Sequence, residues 1–296
     1  VAVFLFHLRV WLASWVFLVP NFCWQSPTIE IEKPVAVWFV PSDSGGKIDV
    51  DPFATVTQGN VAGIPNACKV DDPKYKECSE GYLKPGASYF VWAGGAAAGK
   101  VSFGSATDEI GNLEVTYTGT ARIRGRVMAL ASTLPEASGR ENRRQAPSAS
   151  ERAAAIKLAR ELYQQARVPE SVLANITVEN LTRTVLKPKS EPSLIGSFNI
   201  EETLSPQDIR RHYLFFVASL SGGQLKPELS ELRISSSPED SQSLSLVDQA
   251  DMFGSGEDNL VLLLTFYENY RYRIYRRAGD GNHWEKLFET ETMGSE

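Results

Sequence analysis

Two long spans of this chain alternate apolar and polar positions with a period of two, and a short span between them repeats every three to four residues. Residues 35–132 hold short runs rich in valine, aromatics and threonine: VAVWFVP (35–41), FATVTQG (53–59), SYFVWAG (88–94), GKVSFGSA (99–106), LEVTYTGT (113–120) and ARIRGRVMALA (121–131). Glycine and proline punctuate them, which predicts an all-β barrel or sandwich. Residues 133–149 are small, polar and aperiodic, and read as an interdomain linker. Ser148 followed by Glu151 then forms a capping box, and Ile156, Ala159, Tyr163 and Ala166 recur at helical spacing, so a helix is expected over about 150–167. Val168-Pro169 ends it, and PESVLAN starts a short second helix with Pro169 in its first turn.

Strand-like runs resume at residue 179. LVLLLTFY is apolar on consecutive residues, as in a central strand buried on both faces. YRYRIYRR sets Tyr270, Tyr272 and Ile274 against Arg271, Arg273 and Tyr275, and so predicts one face in the core and one outside. The expected fold is therefore α+β. An N-terminal β barrel or sandwich (35–132) precedes a C-terminal domain (150–296) of one or two helices packed on an antiparallel meander.

Residues 1–25 change the picture of compartment. An apolar run from Val10 to Val19, preceded by His7 and Arg9 and closed by Pro20, has the size of a signal-peptide core. A retained anchor is the competing reading, but it would place Arg9 near the bilayer centre. Export makes Cys68 and Cys78 a natural disulfide pair, whose short loop would stabilise by roughly 2–3 kcal/mol. A valine at residue 1 fits a bacterial non-AUG start, which would make the sequons at Asn175 and Asn180 incidental.

Charge then narrows the partners. A formal net charge of -6 and a pI near 5.3 argue against nucleic acid, and the membrane is expected to be met only through the N-terminal segment. Arg122, Arg124 and Arg126 alternate with Ile123 and Val127, giving a solvated strand face or a candidate ligand face. The chain has three histidines, which leaves few members for a triad. His212 reads as a surface or strand-edge residue, and His283 follows the turn AGDGN. GGAAAGKV (94–101) approaches a phosphate loop, but Val101 stands where a hydroxyl should hold magnesium and a strand follows where a helix is needed. It reads as a hairpin turn.

VDQADMFGSGEDNLVLLLTFYENYRYRIYRR resembles the D-x-D-G-D-G-x-x-[DE] loops of exported FG-GAP/VCBS-type repeats, and the C-terminal half is similar to exported bacterial proteins with one such loop and a Tyr-rich hairpin. The resemblance implies an aspartate turn joining two strands, commonly with bound calcium. It maps Asp251 to position one, Ser255 to five and Asn259 to nine, with Glu257, Asp258 and upstream Asp248 as compensating acids. Phe253 at position three and Ser255 at five remove an oxygen and a charge from what calcium prefers. A single copy does not make a propeller. Asp251, Ser255, Glu257, Asp258 and Asn259 are thus expected to form a weak or vestigial calcium site, with no other cofactor.

No G-x-S-x-G, H-E-x-x-H or C-x-x-C occurs. The function expected is an exported, non-enzymatic binding or structural module of the bacterial cell envelope. The alternatives are a carboxylate-dependent hydrolase acting on envelope polymer or carbohydrate, and a calcium-stabilised adhesion module.

Overall fold

The computed structural model describes residues 36–44, 47–57, 60–63, 88–106, 113–119, 129–131, 143–205, 208–237, 239–279, 281 and 283–292. The N-terminal apolar segment, Cys68, Cys78, Arg122, Arg124 and Arg126 lie outside them. Among the described residues, no helix is long and apolar enough to cross a membrane.

Seven strands form the first sheet: β1 (Ala36–Ser44), β2 (Lys47–Thr57), β3 (Asn60–Gly63), β4 (Ser88–Ala93), β5 (Ala96–Ala106), β6 (Leu113–Gly119) and β7 (Ala129–Ala131). Their order is β3-β2-β1-β7-β4-β5-β6, antiparallel at every pairing. The sheet ends at β3 and β6, so among the described residues it is open and makes no barrel. The near-phosphate loop is the β4–β5 hairpin, turning on Gly94 and Gly95 with φ of 59° and 78°. Positive φ at both central residues is the pattern of a type I′ turn, which glycine adopts without steric cost.

Helix α1 (Ala149–Gln165) begins where the capping box placed it: Ser148 Oγ accepts from Glu151 N, and Glu151 Oε2 accepts from Ser148 N. A 3-10 helix, Glu170–Asn175, follows Pro169. The remaining strands make two four-stranded meanders. The second sheet holds β8 (Thr177–Thr184), β9 (Ser193–Ser205), β10 (Asp208–Ser221) and β11 (Gln224–Ser235). The third holds β12 (Ser243–Ala250), β13 (Asn259–Thr265), β14 (Tyr270–Arg277) and β15 (Trp284–Glu289).

Period-two alternation stacks these elements in four layers. Leu194, Phe198, Ile200, Leu214 and Phe216 face α1 and pack on Ala155, Leu158, Ala159 and Tyr163. Their neighbours Ile195, Phe215 and Val217 face the third sheet and meet Leu260, Leu262 and Leu264 of β13. From the opposite face of the third sheet, Val261, Tyr272 and Ile274 meet Phe53, Val56 and Trp92 of the first sheet. β13 lies in an inner sheet with partners on both faces, which is why its apolar residues run consecutively.

The α+β expectation is overturned. The described chain is mostly β, fifteen strands against one α-helix and one 3-10 helix, in three antiparallel sheets. Residues 33–296 form one compact unit. A period-two pattern tells a strand that one face is covered but not by what, and here the sheets cover one another. Two further readings change for the same reason. Arg273 and Tyr275, expected on an outer face, are only 6% and 4% exposed because β14 is covered on both sides. His212 is buried within the second sheet, with Nε2 3.0 Å from Glu202 Oε2, rather than on a surface or strand edge.

Candidate functional site

The loop between β12 and β13 folds on its first aspartate. Asp251 Oδ1 accepts from Ser255 N at 2.8 Å and Oδ2 accepts from Gly256 N at 2.7 Å, so the carboxylate caps its own turn. Asn259 Oδ1 accepts from Met252 N at 3.1 Å, closing the base. Ser255 Oγ lies 3.3 Å from Asp251 Oδ1 and accepts from Glu257 N at 3.3 Å. Glu257 pairs with Arg277 at 2.8 Å, while Asp258 turns the other way to Arg143 and Gln249. The five residues of the expected calcium site are therefore near in sequence but aim at different partners. Among the described residues, no group of three or more His, Cys, Asp or Glu could hold a metal.

Asp258, with the upstream Asp248, instead builds a polar junction between the sheets. A bulge at Val247 in the β12–β13 register lets Val247 and Asp248 both face the first sheet and sends Gln249 toward the second. Asp248 Oδ1 accepts from Gly94 N at 2.9 Å, Gln249 N at 2.8 Å and Arg144 Nη1 at 3.3 Å. Gln249 accepts from Thr184 Oγ1 at 2.7 Å and donates to Asp258 Oδ2 at 2.8 Å. Arg143 bonds Asp258, and its backbone N–H donates to Gly94 O at 3.1 Å. Gln145 exchanges backbone bonds with Arg183 at 2.8 and 3.0 Å. Residues 143–145, within the segment 133–149 read as a linker, are thus a strap packed against all three sheets. Complete burial pushes Asp248 up to about 7, against the opposing pull of Arg144 and the two backbone donors.

Between the second and third sheets, where β11 faces β14, Glu231 of β11 accepts from Tyr275, Arg273 and Arg233, and Arg273 also bonds Glu289 at 2.7 Å. Burial would raise Glu231, but the Tyr275 hydroxyl and the two arginines outweigh it and hold the carboxyl below its usual range. Against its own burial, Glu289 is likewise drawn down to about 2 by Lys286, Arg271 and Arg273. Both stay ionised at neutral pH, so neither is poised as a general acid.

A cleft of about 370 Å³ opens where the second and third sheets meet the β8–β9 connection. That connection supplies Leu186, Lys187, Ser190 and Glu191; β9 and β10 add Ser193 and Ser219; β11 adds Glu228. Glu257, Arg277 and Gly281 complete it, so the aspartate loop reaches the cleft through Glu257. Arg277 forms the floor. It pairs with Glu228 at 2.9 Å and Glu257 at 2.8 Å, donates to Gly281 O at 3.0 Å, and lies 5.0 Å from the centre of the Trp284 ring. Trp284 Nε1 also donates to Glu228 Oε2 at 3.1 Å, fixing the carboxylate that fixes the arginine.

Of the candidate site residues read from the sequence that lie among the described residues, Glu257 alone lines this cleft. The serines, Glu228 and Arg277 come from five separate elements and share no local spacing. The signal in hand was the acidic PELSEL of β11 facing the arginine-bearing strand β14. No family model, curated protein or solved structure matches the chain.

Proposed function

We propose that this chain is an exported, non-enzymatic binding module of the bacterial cell envelope that holds a hydroxyl-rich ligand, a carbohydrate, in the cleft floored by Arg277. The observation that carries the reading is the lining: three serines, three glutamates, a lysine and an arginine converge from different elements around about 370 Å³. Such surfaces suit ligands that exchange many hydrogen bonds rather than bury apolar area. Locking Arg277 between Glu228 and Glu257 pre-organises the floor, which lowers the ordering cost of binding. The same lock speaks for binding over hydrolysis, because both carboxylates are committed to one guanidinium. Export is supported by the apolar run Val10–Val19 and by the resemblance of the 251–259 loop to turns of exported repeats.

The test is co-sedimentation of the full chain with insoluble envelope polysaccharides, beside Ser190→Trp, which places a bulky ring at an exposed position of the lining. The wild type should sediment with at least one polymer, the variant should stay in solution, and no new reducing ends should appear. Equal sedimentation of both proteins, failure on every polymer, or release of reducing ends each overturns the proposal.

A further inference from the structure

We infer that the ligand of this cleft carries an ammonium group as well as hydroxyls, as in an amino sugar with a free amine. The inference rests on the reading of the cleft as a saccharide site and adds the charge of its ligand.

Arg277 is the group that would ordinarily select an anion, since a guanidinium offers paired N–H donors to a carboxylate or phosphate. Here its nitrogens are already enclosed: Nη1 donates to Gly281 O, Nη2 lies 2.9 Å from Glu228 Oε2, and Nε is buried in ionic contact with Glu257 Oε1 at 2.8 Å without a directed hydrogen bond. Its guanidinium carbon sits over the Trp284 ring, 5.0 Å from the centre. An anionic ligand would have to displace an internal carboxylate to reach it.

The acceptors tell the opposite story. Arg277 engages Oε2 of Glu228 and Oε1 of Glu257, and a carboxylate has two oxygens with about four lone-pair sites, so each retains capacity. Glu191, exposed at the rim, takes part through its carboxylate in no ion pair or hydrogen bond among the described residues. Lys187 balances Glu191 in charge. The floor then keeps one negative charge in excess, two glutamates against one arginine, in a setting rich in acceptors. Three N–H donors and a positive charge on the ligand answer both features, and the hydroxyls of Ser193 and Ser219 serve its neutral positions.

The experiment is calorimetric titration of the full chain with three β-1,4-linked tetramers: glucosamine, N-acetylglucosamine and glucose. It is run at low salt and in about 0.5 M sodium chloride, where screening is strong, on the wild type, Glu257→Gln and Glu191→Gln. The glucosamine tetramer should bind about fivefold or more tighter than the other two at low salt, on the scale of one added ion pair in a wet site. Salt should shrink that advantage, and Glu191→Gln should reduce it while leaving the neutral tetramers nearly unaffected; Glu257→Gln, which also loosens the hold on Arg277, should weaken all three tetramers and glucosamine the most. Glu191→Gln changes only an exposed side chain, so its folding is not at issue. If the acetylated or glucose tetramer binds as tightly as glucosamine, the ammonium inference fails and the saccharide site stands. If none of the three binds, the saccharide site itself falls and the inference with it.

Discussion

Asp248→Asn should change how the stability of this protein depends on pH, and in a direction opposite to that of most acidic residues. Asp248 has no exposed surface, and burial raises its carboxyl from 3.8 to about 7. The folded state therefore holds a proton more tightly than the unfolded chain does. Its contribution is full below about pH 4, falls as pH rises, and is gone once pH passes about 7. A shift of about three pH units corresponds to about 4 kcal/mol between the two limits, or about 1.4 kcal/mol per pH unit in between. Asparagine keeps the oxygen that accepts from Gly94 N and Gln249 N but cannot titrate. Urea unfolding of wild type and variant at several values between about pH 4 and pH 8, compared at each pH, cancels all other titrating groups. The wild type should lose stability relative to the variant as pH rises, by several kcal/mol in total. A difference that stays constant over that range would mean that Asp248 titrates as an ordinary carboxylate, and the account of its buried junction would be wrong.

Gly95 permits the closest approach in the same junction. A Cβ there would overlap Arg143 Nη2 and Asp258 Oδ2, at a φ of +78°, whereas Gly222, at +58°, has open space. Gly95→Ala should thus cost well over the roughly 1–2 kcal/mol of left-handed backbone alone that Gly222→Ala incurs, read from thermal melting of both; equal losses would refute the packing argument. Millimolar calcium set against chelator should leave the melting temperature unchanged, because Asp251 already accepts from Ser255 N and Gly256 N and its neighbours aim elsewhere. A calcium-dependent rise would show that the loop reorganises into a site.

Where the physics is local, the sequence was sufficient. Ser148 and Glu151 start α1 because each side chain reaches a backbone donor within its own turn, and no distant residue is consulted. Gly94-Gly95 makes a hairpin because two adjacent glycines favour a turn with positive φ. LVLLL showed that both faces of β13 would be covered, although the apolar run continues past the strand to Tyr267, which is exposed. Periodicity records that a face meets something dry, and it carries no name for the partner. The stacking of the third sheet between the other two, the burial of Arg273 against Glu231 and Glu289, and the convergence of Arg143, Arg144, Asp248 and Asp258 were decided by tertiary structure alone. So was the cleft, whose lining begins at Leu186 in the chain, ends at Gly281, and meets only because two meanders close on one another.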